Sequence, residues 1–327
     1  MKYLYVLVSS EIDFYAEQAF LSVFSLKKYN PNAFVSFLMD TETEHYLRSC
    51  FENFFHFIDE VKVISLSNKS NKEKSRILKT TMRNYIDGDF LFIDCDTIVC
   101  EDLSSIANSN CDMACVLDTH VSVDKHTFRN AIISNYKKCN FEVAVAENVH
   151  FNSGVIWCKD NERTRNFFND WEKLWKKSSQ HGIIIDQPSF NYANVINNKM
   201  VNELTGDWNC QLIHGGVKYL SSAKIIHYFS SINNKYGNPF IINNKSIFQE
   251  IKNSKLITPH LVDLLNNPRQ LIENNSTLLG DDVPRVLLYQ APMRELVYLF
   301  KNHKKIYNFL RYIFCAVEKI HKINGAL

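Results

Sequence analysis

Strand-like and helix-like segments alternate through the first hundred residues, which restricts the chain to a sheet of parallel strands with helices on its faces. Lys2 to Val8 is an unbroken β-prone run, and Ser10 is placed to cap a helix through EQAFLSVFSLKKY that Asn30-Pro31 stops. Ala33 to Met39 reads as a second strand, followed by a short helix capped by Thr41, and Val61 to Leu66 reads as a third strand. A polar loop, SNKSNKEK, leads into the helix SRILKTTMRNYI, and Asp87-Gly88-Asp89 turns the chain into a fourth strand, FLFID. Further strands are expected at Met113 to Leu117, Val149 to Cys158 and Lys224 to Tyr228, with helices at Glu162 to Lys176 and from Gln187 to Asn197. Beyond Phe240 the texture turns to short helices. An α/β body over residues 1–240 is therefore expected to carry a helical region over residues 241–327.

Composition narrows the class. With 327 residues, 46% of them hydrophobic, the chain can bury the core of one large domain. The 37 basic and 35 acidic side chains leave a net charge of +2, which gives no global reason to bind nucleic acid. Nine scattered cysteines include no CxxC pair, which suits reduced, buried thiols in a cytosolic protein. The opening MKYLYVLVSSEID lacks the longer apolar region of a signal peptide, and no stretch reaches the roughly 18 apolar residues of a membrane span. A cytoplasmic protein is expected.

The strongest chemical signal is FLFIDCDTIV, in which an apolar strand delivers Asp94 and Asp96 at its carboxyl end. Residues i and i+2 of a strand share a side, so both carboxylates are expected to face one divalent cation. Two adjacent buried carboxylates are costly without such a cation. Open α/β sheets bind ligands at this edge. Neither GxxxxGK[ST] nor GxGxxG occurs, so a bound diphosphate would need a metal rather than a backbone cradle.

The run KSRILKTTMRNYIDGDFLFIDCDTIV resembles the central motif of GT-A fold glycosyltransferases, particularly glycosyltransferase family 8. The resemblance covers residues 1–240 and implies a Rossmann-like, mostly parallel sheet flanked by helices. By that resemblance Arg76 contacts the nucleotide, and Asp94, Cys95 and Asp96 lie at the diphosphate. Mn2+ or Mg2+ would be held by Asp94, Asp96 and His227 of KIIHYF. HFNSGVIW implies that Asn152 contacts the donor sugar, and IIIDQPSFNYA places Asp186 and Gln187 beside its anomeric centre. Val8, Ser9 and Tyr15 correspond to the uridine-binding edge. The family follows its histidine with glycine and then a Lys-Pro-Trp group; here the sequence is HYFSSINNKYGNPF, in which Lys235 takes the lysine's part at altered spacing.

Each residue also has a plain structural reading. Arg76 can make an exposed ion pair, Asn152 can satisfy a turn before Gly154, Asp186 can cap the helix that begins at Gln187-Pro188, and His227 can be a core histidine, with His214 competing as the ligand. The resemblance implies a UDP-sugar donor, a hexose-type sugar, a glycan or lipid-linked glycan acceptor in bacterial surface polysaccharide synthesis, and retention of configuration. The rivals are a haloacid dehalogenase-type phosphohydrolase, for which LLGDD with Asp281 and Asp282 would supply a later acidic motif, and a catalytically silent GT-A assembly subunit. From Arg294 to Lys322 the net charge is +5, interleaved with six Tyr and Phe residues from Tyr298 to Phe314. This pattern fits a helix lying on the anionic inner face of a membrane, or one packed on the body or on a second copy in a homo-oligomer.

Overall fold

The structure, a computed structural model, describes residues 1–229, 240–272 and 291–323. Among the described residues, ten strands and eleven α-helices follow one another. A seven-stranded sheet has the order β3-β2-β1-β4-β7-β6-β8, built from β1 (Lys2–Leu7), β2 (Phe34–Asp40), β3 (Glu60–Ile64), β4 (Phe90–Ile93), β6 (Met113–Leu117), β7 (Phe151–Cys158) and β8 (Val201–Glu203). β1 pairs in parallel with β2 and β4, whereas β7 runs antiparallel to both β4 and β6. A second sheet of three short strands has the order β5-β10-β9, from β5 (Thr97–Val99), β9 (Cys210–Gln211) and β10 (Ile225–His227). The expected mostly parallel sheet is present, and β7 is its exception.

Local chemistry explains the helix starts. Asp40, rather than Thr41, caps α2 (Thr41–Cys50) by accepting from the Thr43 N–H. Ser70 and Glu73 form a capping box that starts α3 (Asn71–Thr81) inside the segment expected to be loop. α1 (Tyr15–Tyr29) begins later than Ser10 predicts: the Ser9 hydroxyl accepts from the Ala16 N–H at 3.1 Å and Asp13 from the Tyr15 N–H at 3.2 Å. Arg129–Cys139 and Val143–Ala146 form α4 and α5. α6 (Glu162–Gln180) packs Phe167, Phe168 and Trp171 under the sheet, and α7 (Gln187–Ile196) follows it.

The first compact unit spans Met1–Leu278, so residues 241–272 belong to the body rather than to a separate tail. The reason is apolar burial. Ile247, Phe248 and Ile251 of α8 (Lys245–Ser254), with Leu261 of α9 (Pro259–Leu264), join the same core as Phe20 and Leu26 of α1. Each such buried side chain contributes about 1.5–3 kcal/mol. The second unit, Leu279–Leu327, contains α10 (Ala291–Asn302) and α11 (Lys304–Ile323), which meet through Phe300 and Tyr307 at 5.1 Å. Among the described residues no helix is long and apolar enough to cross a membrane. All nine cysteines are free thiols.

Glu17 of α1 is fully buried, and neither carboxyl oxygen has a hydrogen-bond partner. Burial pushes its pKa up to about 7. The folded state therefore holds a proton that the unfolded chain releases above its ordinary value of 4.5, and stability falls as pH rises from there to about 7. Glu17→Gln removes this dependence. Relative to the parent it should gain about 2 kcal/mol between pH 5 and pH 8, measured by urea denaturation at both values.

Candidate active site

The carboxyl ends of β1 and β4 lie side by side, and the site is built there. β4 ends at Ile93, the Asp94 N–H continues the ladder to the Gly154 carbonyl at 2.8 Å, and the chain then leaves the large sheet for β5. Asp94, Cys95 and Asp96 occupy this break between the two sheets. The strand pleat expected to align the carboxylates is therefore absent. They converge because the turn is pinned, with Thr97 Oγ1 donating to the Asp94 carbonyl at 2.8 Å and the Tyr228 N–H to the Asp96 carbonyl at 3.1 Å. The Cys95 thiol turns away and donates to the Val6 carbonyl at 3.4 Å.

β10 pairs antiparallel with β5 and sets His227 opposite Thr97. Its Nε2 lies 3.1 Å from Asp96 Oδ1, and ligand atoms of Asp94, Asp96 and His227 all fall within 4.8 Å of one another. His227 is 3% exposed, stacks on Phe229 at 4.0 Å, and directs Nδ1 at Asn209 Oδ1, 3.1 Å away. His214 stands outside this cluster, edge-on to Phe229. Two carboxylates and an imidazole suit a divalent cation such as Mn2+ or Mg2+. Burial raises the Asp94 carboxyl above its ordinary range; Lys79 opposes this and Asp96 adds to it.

A cationic pair on α3 balances these acids. Lys79 donates to both Asp94 oxygens, at 3.0 and 3.1 Å, and lies 3.7 Å from Asp186 Oδ2. Arg76, three residues earlier on the same face, sits 3.0 Å from Asp186 Oδ1, yet its Nε–H is not aligned to donate and has no hydrogen-bond partner. Asp186 is 4% exposed and occupies the N-cap of α7 without making a capping bond, so the capping reading fails. Its Oδ2 instead accepts from Ser153 at 2.7 Å. Burial works against its ionisation, but Lys79, Arg76 and Ser153 outweigh it and hold the group well below the usual carboxylate range.

Asn152 is 5% exposed and lies between Asp118 and Asn209: its Nδ2 donates to Asp118 Oδ1 at 2.8 Å, and its Oδ1 accepts from the Gly154 N–H and from Asn209 Nδ2, both at 2.9 Å. The Gln187 side chain makes a long contact to the Phe151 carbonyl, 3.5 Å. Val8 and Ser9 are buried at the end of β1, the Ser9 hydroxyl being spent on Asp13 and the start of α1. Tyr15 is 42% exposed and within electrostatic reach of Asp96 and Arg76. Lys235, Asp281 and Asp282 lie outside the described residues. Sequence reasoning missed Lys79, Asn209 and Asp118. Only Lys79 left a signal, its spacing from Arg76.

Gly154 is required by close approach. A Cβ there would come within 2.5 Å of His227 Cε1 and 2.9 Å of Asn152 Oδ1. Gly154→Ala should cost about 1–3 kcal/mol by overpacking and push His227 and Asn152 from their places, read by thermal denaturation.

A Rossmann-like sheet whose central strand ends at an acidic pair facing a histidine defines a GT-A glycosyltransferase domain. Residues 32–247 match the family described as nucleotide-diphospho-sugar transferase, and the chain belongs to that family. The galactosyltransferase LgtC, solved with donor and acceptor sugar analogs, shares the fold at a TM-score of 0.50 and 13% identity, over 81% of this chain and 100% of that one. An active-site mutant of LgtC gives 0.51 and 13%, over 78% and 96%. Mouse xyloside xylosyltransferase 1 gives 0.48 and 13%, over 71% and 99%. No curated protein matches the sequence significantly. The phosphohydrolase reading is overturned: the acidic pair follows β4 of a GT-A sheet, within the residues that match the family.

Proposed function

We propose that the protein moves a hexose-type sugar from a UDP-sugar to a glycan or lipid-linked glycan acceptor in the synthesis of a surface polysaccharide, with retention of configuration. The observation that carries this reading is the Asp94–Asp96–His227 cluster, tied through Lys79 to Asp186. These three residues would hold Mn2+ or Mg2+, which would serve as a Lewis acid for the departing diphosphate. The Arg76 guanidinium faces the same acids, and its remaining N–H groups would meet a phosphate oxygen. Arg76 and Lys79 supply fixed positive potential where negative charge develops. Val8, Ser9 and Tyr15 line the nucleoside edge, while Asn152 and Gln187 flank the sugar.

Asp186 is a poor nucleophile in this arrangement. Its oxygens are already engaged by Arg76, Ser153 and Lys79. That favours front-face attack by the acceptor hydroxyl, with Asp186 orienting the donor. The aromatic face of α11, where Phe309 is 65% and Tyr312 78% exposed beside Lys304, Lys305 and Arg311 in the sequence, supports peripheral contact with an anionic membrane.

Screening UDP-sugars for UDP release, with Mn2+ and with chelator, tests the reading. One sugar should turn over only with metal, and the anomeric proton of the product should report the donor's configuration. An inverted product would overturn retention. Turnover unaffected by chelator would overturn the metal role.

A further inference from the structure

His227 does not stand alone behind the acidic pair. A line of buried hydrogen bonds runs from it into the protein, and the direction of every bond in that line is fixed. The Gly154 backbone N–H can only donate, so the Asn152 atom 2.9 Å from it is the carbonyl oxygen. The Asn152 amide nitrogen is thereby turned to Asp118, which accepts at 2.8 Å. Asn209 approaches that same Asn152 oxygen at 2.9 Å and must present its NH2, which leaves its own oxygen toward His227 Nδ1 at 3.1 Å. An oxygen there can only accept, so Nδ1 must carry a proton. At the far end, His126 Nε2 closes on the second Asp118 oxygen at 2.9 Å. Asn209 is fully buried, and Asn152 and His227 nearly so, which leaves water little access to substitute for these bonds.

We infer that Asn209, directed through Asn152 by Asp118, is a positioning residue that fixes the proton of His227 on Nδ1 and so reserves the Nε2 lone pair for a divalent cation shared with Asp94 and Asp96. The inference rests on the metal reading of the site. Nε2 and Asp96 Oδ1 face each other at 3.1 Å with lone pairs on both sides, so a proton or a metal ion must lie between them. Metal-ligating histidines characteristically donate their other ring N–H to an acceptor that sets ring orientation and basicity, and removal of that acceptor lowers metal affinity by about 10–100-fold. Here the acceptor is a neutral amide whose orientation is governed two residues away by a carboxylate held between Asn152 and His126.

The test combines two readouts on the full-length protein. Spectra of 15N-labelled histidine should show His227 Nδ1 protonated both without metal and with Mg2+, with only Nε2 responding to the ion. Mn2+ titration followed by electron paramagnetic resonance should show Asn209→Leu binding about 10–100-fold more weakly than the parent. Asn209→Asp, which restores an acceptor to Nδ1, should recover several-fold of that loss. Thermal melts of both variants confirm that they are folded. Parental affinity in Asn209→Leu, equal losses in both variants, or a bare Nδ1 in the parent would each overturn the inference alone. A parent that binds no Mn2+ would overturn the metal reading and this inference with it.

Discussion

Asp96→Asn should lower kcat/KM by at least about a thousandfold while leaving the melting temperature unchanged or higher. The catalytic half follows from the loss of one anionic donor in a three-residue set. A Lewis-acid contact supplies several kcal/mol of transition-state stabilisation, and about 1.4 kcal/mol is a factor of ten in rate. The stability half follows from repulsion. Asp96 is among the groups that raise the Asp94 carboxyl, so removing its charge relieves a repulsion that offsets the loss of the charged contact to His227, to which the amide still presents an oxygen. A residue kept for packing would lose stability along with activity. Steady-state kinetics and thermal denaturation of the same preparation separate the two.

Lys79→Met is expected to act in the opposite sense on stability. The ammonium is 4% exposed, donates to both oxygens of Asp94, approaches Asp186, and lies 4.9 Å from the centre of the Phe92 ring. Its removal takes from Asp94 the cation that donates to both of its oxygens and leaves the repulsion from Asp96, whereas Asp186 keeps Arg76 and Ser153. Breaking a buried pair in this way costs about 3 kcal/mol, toward the lower end of the usual range because Asp94 is partly open to solvent. Mn2+ should restore part of the loss by neutralising Asp94, so the thermal shift on adding Mn2+ should be larger in the variant than in the parent. Equal shifts would mean that Lys79 and the cation do not share Asp94. Activity should fall in parallel, since under the proposed function the same charge would stand beside the departing diphosphate.

The sequence revealed the parts of this site that lie on regular elements. β4 and its acidic pair were legible from an apolar run ending in DxD, and Arg76 from its place on the preceding helix. Other features depend on contacts that no local period encodes. Nothing in the residues of β7 tells whether it runs with or against β4, because side-chain alternation is the same in either direction. The strand pleat expected to align Asp94 and Asp96 is missing for a related reason: IDCD alternates like a strand even though the chain leaves β4 within it. Lys79 resembles any solvated helix lysine until α7 brings Asp186 against it. Asn209 sits in a short turn of 3-10 type with no periodicity at all. The boundary expected at residue 240 failed because polar residues dominate the composition there. Yet Ile247, Phe248 and Ile251 of α8 fall at helical spacing and insert into the core.

Crystals grown with UDP and Mn2+, measured at a wavelength where manganese scatters anomalously, address the chemistry at its source. A single anomalous peak should appear within bonding distance of Asp94, Asp96 and His227 Nε2, with the diphosphate beside it and Arg76 on a phosphate oxygen. A nucleotide bound at this edge with no manganese peak among those three side chains, or manganese held elsewhere, would contradict a metal-assisted departure of the diphosphate.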